Sequence, residues 1–232
     1  MTPFDALFWT ALLKIIGVNI VLSGDNAVVI ALAARSLPEK QQRQAIFWGS
    51  GAAIVMRIVL TLFAVALLTL PWLKLVGSAL LLWIGIKLLT DEEEGDDGIK
   101  SHDSMLAAIK TILIADLVMS LDNVIAVAAA AKNDTMLVMI GLAISIPLII
   151  YASTLLIKVM ERFPIVITIG AALIGWVSGE MAWDEQVIKP FTSQYPQWFE
   201  YIAAVAGAVL VIVAGKVLAK RGGTQPEAAR EN

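Results

Sequence analysis

Residues 21–34 read VLSGDNAVVIALAA, and residues 118–131 read VMSLDNVIAVAAAA. Both stretches carry the pattern Ser-x-Asp-Asn within a run of apolar residues. Over residues 19–35 and 116–132, a shift of 97 positions gives seven identities in seventeen positions, where about two are expected from average composition. Shared membrane composition explains the repeated alanines but not an acidic motif that occurs twice in apolar sequence. The two stretches therefore predict an internal repeat.

A second match supports the repeat at a shift of 93 positions. Its matched residues are Pro71, Gly77, Ala79, Leu80 and Trp83 in the first copy, and Pro164, Gly170, Ala172, Leu173 and Trp176 in the second.

The composition excludes several classes of protein. Of 232 residues, 59% are hydrophobic and 16% are charged, whereas a soluble domain carries about 25% charged residues. With a mean hydropathy of +0.81, the chain is unsuited to be a soluble enzyme or a disordered protein. The net charge of -3 argues against nucleic acid as a partner, since no basic stripe is available for phosphates.

The residue counts also limit the metal chemistry. The chain has no cysteine and a single histidine, which excludes disulfides, thiolate sites and histidine-rich zinc or copper sites. No prosthetic group is expected, and any metal ion must be held by oxygen atoms.

A membrane helix needs about 20 mostly apolar residues. Seven stretches meet this requirement, at residues 6–34, 45–70, 72–90, 104–131, 135–158, 164–182 and 198–219. The sequence therefore predicts an all-α, polytopic membrane protein with a single membrane domain over residues 1–232. Its parts are the first repeat (6–90), an acidic cytoplasmic loop (91–103), the second repeat (104–182) and a seventh helix (198–219).

Each repeat holds three spans, so the second copy enters the membrane in the opposite sense to the first. Such inverted repeats are typical of secondary transporters, which bind substrate near the bilayer midplane between the halves. The lysine and arginine distribution predicts the orientation, because cytoplasmic loops carry the excess of these residues. One set of loops holds Lys74, Lys132 and Lys189, and the other holds eleven basic residues. The N-terminus is therefore expected outside and the C-terminus in the cytoplasm.

The candidate site consists of polar residues within the predicted spans. A carboxylate at the centre of a membrane helix costs about 2.5–3.5 kcal/mol and by default indicates function. The acidic candidates are Asp25, Asp116 and Asp122. Amide and hydroxyl oxygens accompany them, from Asn19, Ser23, Asn26, Ser120 and Asn123. These hard oxygen donors suit Mg²⁺, Ca²⁺ or Mn²⁺ as a ligand. On a continuous helix Asp25 and Asp122 lie about 100° from the other polar residues, so a local break is expected near them.

Three further charges lie within the spans. Arg57 is expected to pair with an aspartate of the core and lower its charge when no ion is bound. Lys87 and Glu180 occupy equivalent positions in the two repeats and are candidates for gating or proton coupling, although Lys87 suits a position at the interface.

At Leu22–Val28 and Met119–Val124 the sequence resembles the TerC family of integral membrane proteins, within the LysE-like transporter superfamily. Its short length is similar to the YjbE-like branch. The resemblance covers nearly the whole chain and implies a seven-helix transporter, with manganese export in several members. It also implies acidic ligands at Asp25, Asp116 and Asp122, with Asn26 and Asn123 beside them. The first copy departs from the second at Asn19, which stands where the second copy has Asp116.

Four functions are open at this point. The favoured interpretation is an exporter of divalent cations, with Mn²⁺ as the transported ligand and no enzymatic activity, in a bacterial plasma membrane and with a homodimer allowed. An exporter of amino acids or monovalent cations is the alternative. An intramembrane aspartyl protease using Asp25 and Asp122 is less favoured because Ser-x-Asp-Asn is not the motif of that class. A scaffold for a stress-response complex is disfavoured because no large soluble domain is evident.

Overall fold

The computed structural model describes residues 9–10, 12–14, 16–17, 24–68, 70–90, 101–130 and 135–222. Within these ranges the regular secondary structure is entirely helical, which confirms the predicted all-α class for this part of the chain. The helices are α1 (Gly24–Ala34), α2 (Glu39–Leu68), α3 (Leu73–Thr90), α4 (Ser101–Ala130), α5 (Thr135–Arg162), α6 (Ile165–Trp183), α7 (Lys189–Thr192) and α8 (Trp198–Gly222).

Four stretches of the described helices are long and apolar enough to cross a membrane. They are Leu73–Thr90, Ser104–Leu121, Ile165–Trp183 and Trp198–Lys220, and they coincide with the third, fourth, sixth and seventh predicted spans. α1 is a shorter apolar helix, while α2 and α5 lie over the second and fifth predicted spans. The total of seven membrane helices stays a prediction.

Two helices begin earlier in the chain than the predicted spans. α2 starts at Glu39, six residues before the span predicted from residue 45, and α4 starts at Ser101 within the predicted loop 91–103. The α2 extension consists of good helix formers, with the acidic Glu39 in the first turn, where the helix dipole favours negative charge. With 30 residues, α2 is about 45 Å long, so it exceeds the apolar core of a bilayer.

The helices pack in two groups that share one core. One group is α3, α6 and α8, and the other is α1, α2, α4 and α5. Contacts of α1 with α6, and of α4 with α3, join the two groups. Fully buried residues at the centre of the packing are Ala31, Leu81, Ile112, Ala115, Ala171, Ile174 and Val211.

α8 exposes a continuous apolar face. Its side chains on successive turns are about half exposed, at Tyr201, Val205, Val209, Val213 and Val217. A soluble monomer rarely exposes so large an apolar surface, whereas such a face is expected of a helix that contacts lipid.

Small residues bring α6 and α8 into close contact. A Cβ atom added at Gly175 would lie 2.5 Å from the carbonyl oxygen of Gly207, and one added at Gly179 would overlap the carbonyl oxygen of Ala203. Gly175 and Gly179 form a Gly-x-x-x-Gly pattern, which allows membrane helices to approach at backbone distance.

Glu185 caps the start of α3 although it lies 110 positions later in the chain. Its carboxylate accepts hydrogen bonds from the backbone N–H groups of Trp72 (3.2 Å), Leu75 (3.1 Å) and Val187 (3.3 Å), and its side chain is buried. Trp72 has a φ of 69°, which is unfavourable for a bulky residue. The buried carboxylate holds this turn in place and satisfies N–H groups that the helix start leaves unpaired.

Beside Glu185, Asp184 forms ion pairs with Lys74 (2.6 Å) and with Lys189. These contacts place the start of α3 and the segment after α6 at the same end of the helix bundle.

Glu185→Gln is expected to lower the free energy of unfolding at pH 7 by about 1–3 kcal/mol, because charge-assisted hydrogen bonds to buried N–H groups are lost. Burial raises the pKa of Glu185, but the backbone N–H groups of Leu75, Val187 and Trp72 outweigh it and hold that pKa below the ordinary value of 4.5. The carboxylate therefore contributes stability above pH 4.5, and this contribution is lost as the pH falls through the lower pKa of the folded state.

Chemical unfolding in detergent, from pH 7 to below pH 4.5, measures the effect of Glu185→Gln on stability and the dependence of the wild-type stability on pH. The control is Glu39→Gln, since Glu39 is exposed and its pairing with Arg43 at 4.0 Å is weak. Equal stability of the two variants at pH 7 would contradict the capping role of Glu185.

Candidate functional site

A buried ion pair between α2 and α4 forms the centre of the candidate site. Nη2 of Arg57 lies 2.5 Å from Oδ1 of Asp116, and Nε of Arg57 donates to Oγ of Ser120 at 2.9 Å. The Ser120 hydroxyl in turn donates to Oδ2 of Asp116 at 3.2 Å. Arg57 is 1% exposed, and Asp116 and Ser120 are also buried. The two oxygens of Asp116 are therefore bound by Arg57 and by Ser120.

Helical spacing explains why these side chains meet. On α2, the buried residues Ile46, Ser50, Ala53 and Arg57 recur every three or four positions, which places them on one face. Asp116 and Ser120 are one turn apart on the facing side of α4 and are likewise buried. The pairing of Arg57 with a core aspartate, which the sequence predicts, is present in the fold.

α1 brings a second acidic residue to this centre. Asp25 is half-buried and accepts the backbone N–H of Asn26 at 2.8 Å. α1 packs against α2 and α4, the helices that carry Arg57 and Asp116, so the Asp25 carboxylate lies near charges of both signs. Asp25 thus belongs to the same electrostatic centre, and its position in the first turn of α1 is favourable for a negative charge.

Asn26, beside Asp25, is buried with unused hydrogen-bonding groups. Its side chain is 2% exposed, and neither its Oδ1 nor its Nδ2 has a hydrogen-bond partner among the described residues. Oγ of Ser50 on α2 is likewise buried without a hydrogen-bond partner among the described residues. A buried polar group without a partner costs about 1–3 kcal/mol, so the Asn26 amide is a candidate to bind a ligand. The sequence predicted Asn26 but not Ser50, because a lone serine in an apolar helix gives no distinctive signal.

Other predicted ligands lie outside the described part of the chain. Asn19 and Ser23 are outside it, and so are the side chains of Asp122 and Asn123, although both residues belong to α4. Residues 91–100 of the predicted acidic loop are also outside it. In the described residues no group of three or more His, Cys, Asp or Glu side chains is placed to hold a metal ion. The structure therefore brings together Asp25, Asp116, Ser120 and Arg57 from the predicted set.

The expected helix break is absent beside Asp122, whereas residues 18–23, where a break before Asp25 would lie, are outside the described part of the chain. α4 is a continuous helix from Ser101 to Ala130. The sequence argument relied on the short polar residues near Asp122, but the flanking positions are Leu121 and Val124, and a helix keeps its backbone groups satisfied within the membrane.

Lys87 and Glu180 each contact a tryptophan one turn earlier on their own helix. Nζ of Lys87 lies 5.5 Å from the ring centre of Trp83, and Nε1 of Trp176 donates to Oε1 of Glu180 at 2.7 Å. In the described part of the protein Lys87 and Glu180 do not pair with each other, and their role in gating or proton coupling stays a prediction. Contacts with exposed or half-buried indole rings are typical of charged residues near a membrane interface.

A small polar cavity opens at the same end of the bundle as the α3 cap. It has a volume of about 180 Å³ and is lined by Glu180, Asp184 and Glu200 together with the apolar side chains of Val118, Met119, Val177 and Met181. Val118 and Met119 belong to the turn of α4 that also carries Asp116 and Ser120. The cavity thus lies on the α4 segment that holds the buried ion pair.

Apolar helices of membrane length around a buried charged centre define a polytopic integral membrane protein with a polar interior. Residues 4–223 match the model of the Integral membrane protein TerC family. The chain therefore belongs to the TerC family.

Relatives of the chain are membrane proteins of bacteria. It is 45% identical over 185 residues to the uncharacterized membrane protein YjbE of Bacillus subtilis, covering 80% of this chain and 84% of YjbE. It is 26% identical to YceF of the same organism, covering 77% of this chain and 72% of YceF. The UPF0053 inner membrane protein YoaE of Escherichia coli is 26% identical over 92% of this chain and 43% of YoaE. No solved structure matches the chain.

Proposed function

We propose that the protein is a secondary transporter that exports divalent metal cations, with Mn²⁺ as the main substrate, by alternating access. The observation that carries this proposal is the buried polar centre, where Asp116 pairs with Arg57 and the adjoining helix α1 carries Asp25 and Asn26. The Asn26 amide has no partner among the described residues. Ionisable residues inside a membrane domain are costly and usually serve transport. Carboxylate and amide oxygens are ligands that Mn²⁺ accepts readily. Asn19, Ser23, Asp122 and Asn123 complete the proposed ligand set.

The pattern of helix contacts supports two inverted repeats. If α1, α2 and α3 correspond to α4, α5 and α6, the contact of α1 with α5 has its counterpart in the contact of α4 with α2. The contacts of α1 with α6 and of α4 with α3 form another such pair. A two-fold axis between repeats produces this exchange, and in transporters it places the substrate site at the repeat interface.

The proposed setting is the bacterial plasma membrane, with the N-terminus outside and the C-terminus in the cytoplasm. The distribution of basic residues supports this orientation, as does the inner-membrane description of YoaE. A homodimer stays a prediction.

Flux measurements in liposomes test the proposal. Purified protein is reconstituted and the efflux of Mn²⁺, Ca²⁺, Na⁺ and lysine is followed separately. Wild-type protein is expected to move Mn²⁺, and Asp25→Asn is expected to lower that flux at least about 10- to 100-fold, the loss seen even for residues that merely orient metal ligands. The matched control is Glu161→Gln, which neutralises an exposed acid at the end of α5 and is expected to leave the flux unchanged.

Transport of another substrate in place of Mn²⁺ would contradict the proposal. Flux of lysine or Na⁺ without any divalent cation would favour the alternative exporter. Wild-type Mn²⁺ flux that is unaffected by Asp25→Asn would remove the polar centre from the transport pathway.

A further inference from the structure

The guanidinium group of Arg57 stands where a bound cation would otherwise neutralise Asp116. It contacts Oδ1 of Asp116 directly, and through the Ser120 hydroxyl it is linked to Oδ2 as well. These are the two oxygens that Asp116 would offer to a metal ion. Arg57 is 1% exposed and Asp116 is 6% exposed, so solvent contributes little to balancing the charge.

Asp25 is held differently from Asp116. In the described residues its carboxylate accepts a backbone N–H group, and Arg57 acts on it only as a nearby charge. Asp25 and Asp116 belong to separate helices, α1 and α4, which pack against each other. A divalent ion that binds both carboxylates must therefore displace the guanidinium from Asp116, while Asp25 needs no such displacement.

We propose that Arg57 is a tethered counter-cation that takes the place of the transported ion at Asp116 whenever the carrier is empty. This inference rests on the proposed function and concerns the return half of the transport cycle. An empty carrier must reorient across the membrane with its site unoccupied, and an unbalanced carboxylate in the apolar interior opposes that step. With Arg57 bound to Asp116, the empty site reorients as a neutral pair at this position.

Competition between Arg57 and the metal ion has a measurable consequence. The state with Arg57 on Asp116 is not competent to bind the ion. The observed Kd is therefore the intrinsic Kd divided by the fraction of protein in which Asp116 is free of Arg57. Removing the guanidinium is therefore expected to strengthen metal binding while it slows the return of the empty carrier. A residue needed only for folding would change neither quantity in this direction.

Two modes of transport separate these effects. Exchange of Mn²⁺ inside liposomes for Mn²⁺ outside needs only the loaded carrier, whereas net Mn²⁺ efflux also needs the empty carrier to return. Arg57→Gln is expected to keep Mn²⁺ exchange but to lower the ratio of net efflux to exchange at least about tenfold. The Kd of this variant for Mn²⁺ is expected to fall at least about tenfold. Arg57→Lys keeps a positive charge but cannot contact Asp116 and Ser120 as the guanidinium does, so its ratio is expected to lie between those of wild type and Arg57→Gln.

A charge-balanced double variant completes the test. Arg57→Gln combined with Asp116→Asn removes both charges of the pair and leaves Asp25 as it is in the wild type. The ratio of net efflux to exchange is therefore expected to return toward the wild-type value, with weaker Mn²⁺ binding. Thermal unfolding with and without Mn²⁺ reports on folding, and the ion is expected to stabilise Arg57→Gln more than wild type.

Three outcomes would overturn the inference. The first is an unchanged ratio in Arg57→Gln, and the second is weaker Mn²⁺ binding by that variant. The third is failure to recover folded Arg57→Gln even with Mn²⁺ present, since the ion should then supply the missing charge. By contrast, wild-type protein that neither binds nor moves Mn²⁺ would refute the proposed function itself.

Discussion

Asp116→Leu is expected to lower the free energy of unfolding by about 3–5 kcal/mol, the usual cost of removing one partner of a buried ion pair. Asp116 and Arg57 are both almost fully buried and lie 2.5 Å apart. Without the carboxylate, the guanidinium loses the negative charge that it contacts directly. Unfolding by denaturant in mixed micelles measures the change.

The control for Asp116→Leu is a double variant that replaces both residues of the ion pair. Arg57→Met combined with Asp116→Leu is expected to be close to wild type in stability, because a buried ion pair can often be exchanged for apolar side chains at little cost. A double variant as unstable as Asp116→Leu alone would contradict this account, and it would indicate that Asp116 stabilises the fold by other contacts. The double variant is also expected to lose Mn²⁺ transport, since leucine offers the ion no oxygen at this position, whereas the asparagine of Asp116→Asn keeps one.

Gly179→Ala is expected to destabilise the protein by about 1–3 kcal/mol, the range seen when extra carbon atoms are forced into a packed interface. The added Cβ would overlap the carbonyl oxygen of Ala203 and lie 2.7 Å from the Cα atom of Ala204. These are backbone atoms of α8, which cannot rotate away, so the two helices must separate. Membrane helix pairs that meet through small residues depend on this close packing.

The control for Gly179→Ala is the same substitution at Gly51. An added Cβ at Gly51 meets no atom within 4 Å, and Gly51 lies inside α2, where alanine is favoured over glycine by up to about 1 kcal/mol. Gly51→Ala is therefore expected to be neutral or stabilising. Thermal and denaturant unfolding should show a loss of stability for Gly179→Ala and none for Gly51→Ala. Equal losses in both variants would show that backbone contact between α6 and α8 is not the cause.

Much of the fold follows from hydropathy. Predicted spans such as 72–90 and 164–182 coincide with helices to within about two residues, because apolar runs in a bilayer satisfy their backbone only as helices. Boundaries were less accurate where polar residues extend a helix beyond the predicted span, as at Glu39 and Ser101. A polar extension carries no hydropathy signal. In α2 the extension is stabilised by helix propensity and by the first-turn charge of Glu39.

The candidate site was predicted in part. Asp25, Asn26, Asp116 and Ser120 were recognised because polar residues stand out in apolar sequence. The prediction of a helix break beside Asp122 was wrong, since short polar residues in a membrane helix need not interrupt its hydrogen bonds. Glu185 was not identified because its partners, Trp72 and Leu75, are more than 100 positions away.

The sequence by itself determined that this chain is a helical membrane protein with acidic residues repeated in two halves. The free-energy cost of placing a charge or an unpaired backbone group in lipid is local, so it follows from each residue and its neighbours. Only the tertiary structure decided the partners: Arg57 with Asp116 across 59 positions, Glu185 with the start of α3, and the glycines of α6 with α8. Burial requires each polar group to find a partner. Which partner it finds depends on the helix faces that packing brings together, and no local spacing encodes that choice.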